Sequence, residues 1–118
     1  MQDPRNLKVW QKSHALTLDV MRATSVIVTR GFFKLIDQIH SSVVSVESNI
    51  TEGATRGGDV EFGRFARMAL SSACELWTQL LVAKDLNLLS PETFARLNSL
   101  NDEVRKMLWA LIRRLRGA

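Results

Sequence analysis

Few residues in this chain have types suited to covalent or metal chemistry. There are two histidines, His14 and His40, and one cysteine, Cys74. A nucleophilic cysteine needs a base within hydrogen-bond reach, so the segment holding Cys74 would have to meet His14 or His40. Cys74 lies among Ala73, Leu76 and Trp77, where a small buried hydrophobe is the expectation. A di-iron bundle site needs inward carboxylates on four helices and two Glu-x-x-His pairs. The nearest feature is Asp37-x-x-His40, present once. Gly53 and the pair Gly57-Gly58 lack the lysine spacing of a phosphate loop. No catalytic residue, metal ligand or cofactor is expected, and the chain reads as a non-enzyme. The polar run Ser48-Asn49-Ile50-Thr51-Glu52-Gly53 is expected to serve structure. Asn49 and Glu52 would bond backbone or cap neighbouring helix ends, and Gly53 would supply a positive φ at a helix end.

The other chemistry available is binding by charge. The chain has 16 Lys+Arg against 12 Asp+Glu, a net +4. Residues 105–116 (RKMLWALIRRLR) hold five basic residues and no acid, leaving 11 basic against 12 acidic elsewhere. Arg105, Trp109, Arg113 and Arg116 recur at helical spacing and are expected to form one stripe, with Lys106 and Arg114 beside it. Arg64 and Arg67, three apart, could extend it. Three readings of this helix stand. The cations can complement the negative end of the helix dipole. They can form salt bridges across an interface to Glu47, Glu52 or Asp59. They can also contact phosphates, in which case an oligomer would gather them into a band that steers a polyanion. Trp109 shares the face of Arg105 and Arg113 and could offer a base-stacking surface. Trp10 and Trp77 occupy seam-like positions that suit core or interface anchors.

Helical spacing dominates the elements that must position these residues. Leu7, Trp10, His14, Leu18 and Met21 predict a first helix from Leu7 into the Thr24–Val28 region. It should stop near the β-branched run and Arg30-Gly31. Ile36, Ile39, Val43, Val46 and Ile50 step 3, 4, 3, 4 and predict a second helix from Phe33 to about Glu52–Thr55. Asp59 is placed to cap a third, whose seam is Phe62, Ala66, Ala69, Ala73, Leu76, Leu80 and Ala83. Leu70, Trp77 and Leu81 widen that seam towards contacts on two sides. Ser90-Pro91-Glu92 marks the start of a fourth helix. The expected fold is all-α, an up-down-up-down antiparallel four-helix bundle in one domain over residues 1–118.

Ser41, Ser45 and Ser48 on helix 2, like Ala66, Ala69 and Ala73 on helix 3, let helices approach closely. They suit packing within a protomer or a seam between subunits. Helices 2 and 3 carry more apolar and small-residue surface than one small bundle can bury, so association is expected. Ser41, Ser45, Ser48, Trp77 and Leu81 are the candidate interface. No apolar run reaches the roughly 18–20 residues of a membrane span, and the N-terminus lacks a signal-peptide core. With one cysteine, a reducing, cytoplasmic setting is expected.

The stretches LKVWQKSHAL, QIHSSVVSVESNITEG, EFGRFARMALSSACELWTQLLVAKDLNLLS and KMLWALIRRL resemble, in that order, a small bacterial four-helix-bundle family. It includes proteins encoded in intervening sequences of large-subunit ribosomal RNA genes and the accessory protein of diversity-generating retroelements. The resemblance runs from about Leu7 to Leu115. It implies a four-helix protomer, a homopentamer and no established catalysis. In the retroelement branch it implies DNA or RNA binding and partnership with a reverse transcriptase. Two departures lower the positive charge of helix 2: His40 replaces a usually basic residue, and Glu47 precedes Ser48-Asn49-Ile50. Two functions follow as expectations. One is an oligomeric protein binding nucleic acid, or a partner that processes it, through the basic helix. The other is a protein-docking scaffold whose basic helix serves only assembly.

Overall fold

The structure is a computed structural model that describes residues 3–27 and 31–117. A single 3-10 turn, Pro4–Asn6, precedes four helices: α1 (Lys8–Ser25), α2 (Phe33–Arg56), α3 (Asp59–Asp85) and α4 (Pro91–Gly117). The α1 helix ends at Ser25, inside the expected Thr24–Val28 region, and residues 28–30 lie outside the described residues. Each helix follows its predecessor after a short link, which favours antiparallel neighbours. Cross-helix contacts fix that direction. Trp10 meets Thr51 while Thr24 meets His40, so α1 and α2 run oppositely. Lys12 pairs with Glu103 and Asp19 with Arg96, so α4 runs against α1. The particle measures 46 × 20 × 19 Å, the shape of an up-down-up-down bundle.

The seams predicted on α2 and α3 form the core. Ile39, Val43, Val46 and Ile50, and Ala66, Ala69, Ala73, Leu76, Leu80 and Ala83, are fully buried. On α4, Leu97, Val104 and Leu108 are buried with Ile112, while Leu100 and Leu115 pack at the margin. The α1 seam differs from expectation. Its buried row is Val9, Ser13, Leu16 and Val20, whereas Leu18 and His14 are exposed. Ser13 interrupts the apolar pattern of the true face, and Leu18 imitates it on the wrong one.

Gly53 does not end α2. It lies within the helix, buried, and a Cβ there would stand 2.8 Å from Phe62 Cδ1 and 2.9 Å from Phe65 Cβ. The glycine thus lets α2 lie against the first turns of α3. The positive φ expected at Gly53 falls on Gly57 (78°) and Gly58 (93°), which make the link into α3. Asp59 opens α3 without a side-chain cap bond, although its charge suits the helix N-terminus. Ser90 does cap α4: its Oγ accepts from the Thr93 N–H at 3.1 Å, with Pro91 in the first turn.

Candidate nucleic-acid interface

Several polar side chains that face each other across the α1–α2 seam bond one another. His14 Nδ1 lies 2.8 Å from Glu47 Oε2, and Thr17 Oγ1 donates to the other Glu47 oxygen at 2.9 Å. Thr24 Oγ1 is 2.7 Å from His40 Nε2. Trp10 Nε1 donates to Thr51 Oγ1 at 3.0 Å, and its ring stacks on His14 with centroids 4.9 Å apart. His40 and Glu47 are therefore ties between α1 and α2. Sequence reasoning missed these ties because it counted His14 as part of an apolar seam. The polar row His14, Thr17 and Thr24, recurring at three and seven, was the signal for them. Asn49 bonds the Ser45 carbonyl one turn back at 2.8 Å, and Glu52 pairs with Arg56 at 2.8 Å. Asn49 and Glu52 thus brace their own helix, and neither caps a neighbouring one. An open groove of about 590 Å³ between α1 and α2 is lined by His14, Thr17, Met21, Val44 and Glu47 among others.

The basic helix is arranged differently, and its predicted single stripe divides. Lys106, Trp109 and Arg113 line one shallow hollow of about 390 Å³ on the outer face of α4. Arg116 turns towards α3 and shares a hollow of about 660 Å³ with Arg67, Gly58, Asp59 and Val60. Arg114 turns towards the start of α1 and lines a third hollow with Asn6 and Lys8. Asp102 holds the upper end, with Lys106 Nζ at 3.2 Å and Arg105 Nη1 at 3.9 Å. Arg64 is engaged too. It donates to Glu61 at 3.0 Å and lies 4.5 Å from the Phe65 ring centroid. Its hydrogen bond holds the Glu61 carboxyl below the ordinary carboxylate range and pushes the guanidinium up. Among the described residues, Arg67, Arg113, Arg114 and Arg116 are exposed and have no carboxylate partner.

The candidate oligomer residues are spread over the surface. Ser45 bonds Ser72 at 2.8 Å, so it serves α2–α3 packing within the protomer. The alanine row is likewise buried inside. Ser41 and Ser48 are exposed, Leu81 is half-buried, and Trp77 is 41% exposed, so Trp77 anchors no core. Cys74 is exposed, contrary to expectation. It falls on the solvent side of α3 because the core row passes through Ala73 and Leu76 on either side of it. Among the described residues no three His, Cys, Asp or Glu side chains gather to hold a metal, and no helix is long and apolar enough to cross a membrane.

A family model described as 23S rRNA-intervening sequence protein matches residues 5–110. A comparison with curated proteins finds no match. Among solved structures, the chain is similar to a crystal structure from Bacteroides thetaiotaomicron. That structure is described as a protein with unknown function from the S23 ribosomal protein family. The TM-score is 0.84 at 23% identity, covering 88% of this chain and 97% of the other. That likeness concerns the fold.

Proposed function

The chain belongs to the 23S rRNA-intervening sequence protein family, and on that premise we propose that it is a non-enzymatic, oligomeric protein that binds nucleic acid, or a partner processing it, through the C-terminal half of α4. One observation carries the reading. Arg113, Arg114 and Arg116, with Arg67 beside Arg116, are exposed cations without a carboxylate partner among the described residues. A cation already paired gains little by meeting a phosphate, because it must first leave its carboxylate. An unpaired one contributes its full counterion release. Association into a ring, five-fold by the family resemblance, would repeat the cluster around an axis and raise the local potential.

Mobility shifts at low salt test this reading. DNA or RNA should be retarded, and Arg113→Glu with Arg116→Glu should abolish the shift while light scattering shows the oligomer intact. A docking scaffold is the second reading, favoured by exposed Trp77, Met68 and Val82 on α3. On that reading wild type gives no shift, and the same double substitution breaks the oligomer.

A further inference from the structure

We propose that the polyanion taken by α4 is single-stranded nucleic acid, with an unpaired base stacked on Trp109. This rests on the nucleic-acid reading above and specifies its ligand. Trp109 is 50% exposed and lies on the outer face of α4, three residues after Lys106 and four before Arg113. All three line the same hollow, so an aromatic surface is set between two cations. Arg113 has no carboxylate partner among the described residues, and Lys106 shares Asp102 with Arg105.

Trp109 differs in this from the other two tryptophans. Trp10 has its indole N–H bonded to Thr51 and its ring stacked on His14. Trp77 is exposed on α3, where its neighbours one turn away are Ala73, Cys74 and Leu81. Trp109 is the one that combines a free ring surface with flanking positive charge.

That combination selects between forms of the polyanion. Phosphates of any strand satisfy Arg113, but only an unpaired base has a free π-face to lay on an indole. In a duplex the base faces are covered by stacking, and the indole would gain nothing. The hollow is shallow and open, and its lining side chains carry donors but no acceptor with which to read a base edge. Recognition is therefore tolerant of sequence and depends on strandedness.

The test uses three fluorescent oligomers of equal length in anisotropy titrations at low salt: a single strand, an abasic single strand and a duplex. The wild-type protein should bind the single strand tighter than the other two, by about 5- to 100-fold. Trp109→Ala should bring the ratio close to one, and Trp109→Phe should retain most of it. Arg113→Gln should weaken all three ligands and preserve the ratio. Equal wild-type affinity for the three oligomers overturns the stacking proposal and leaves electrostatic binding standing. No binding to any of them overturns both. A Trp109→Ala protein that sediments as a smaller species makes Trp109 an assembly anchor and also overturns the proposal.

Discussion

The α1–α2 seam and the end of α4 use polar side chains in opposite ways. Along the seam, Glu47 accepts from two α1 residues and His40 meets Thr24. Little is left over for a partner. At the end of α4, three arginines face solvent and none is paired with a carboxylate among the described residues. Both regions carry polar side chains. They differ in whether an internal partner exists, and that decides whether a charge holds the fold or is available to a ligand. Arg64 makes the same point within α3. It and Arg67 are three residues apart, yet one is bound to Glu61 and the other is free.

The comparison can be broken first at its functional side. Arg113→Glu with Arg116→Glu should lower nucleic-acid affinity on the order of 100-fold and flatten its salt dependence, with the thermal midpoint near wild type. A large fall in that midpoint would mean that the arginines hold the fold. On the structural side, Gly53→Ala puts a methyl against Phe62 and Phe65. It should cost about 1–3 kcal/mol in denaturant unfolding, and a neutral result would mean the helices can separate freely there. Glu47→Ala strips acceptors from His14 and Thr17. It should cost about 1–2 kcal/mol and leave oligonucleotide affinity at the wild-type value. A change in that affinity would erase the contrast between the two regions.

The smallest effect concerns Glu61. Its folded pKa lies below its ordinary value, chiefly through the hydrogen bond from Arg64. The stabilisation is therefore fully present above the ordinary carboxylate range and is lost as pH falls through the lowered value. Glu61→Gln should flatten that acid limb slightly in a pH series of unfolding curves, as befits an exposed pair. An unchanged limb would show that the pair contributes nothing.

Much of the bundle was legible in the sequence. The α2 and α3 seams are long and uninterrupted, and Ser90-Pro91-Glu92 is a helix start written in three residues. The α1 face was misread because Ser13, a polar residue, lies in the buried row while Leu18 faces solvent. Gly53 looked like a terminator because a glycine in a helix and a glycine ending one are alike until the neighbouring helix is placed. The site was legible in part. The charge excess of residues 105–116 is plain in the sequence, but a linear stripe does not reveal which flank meets α3 and which meets α1. The pairs of Glu61 with Arg64, and of Asp102 with Arg105 and Lys106, stand at i,i+3 and i,i+4 on their own helices, a spacing the sequence displays. That Arg67, Arg113, Arg114 and Arg116 pair with no carboxylate of another helix depends on tertiary distance, which spacing along one helix does not encode.

The most direct test of the central claim is the affinity of the wild-type protein for a labelled oligonucleotide across a potassium chloride series. Contacts from Arg113, Arg114 and Arg116 predict a log–log slope of about −2 or steeper. A slope near zero, or no binding at the lowest salt, would contradict the account.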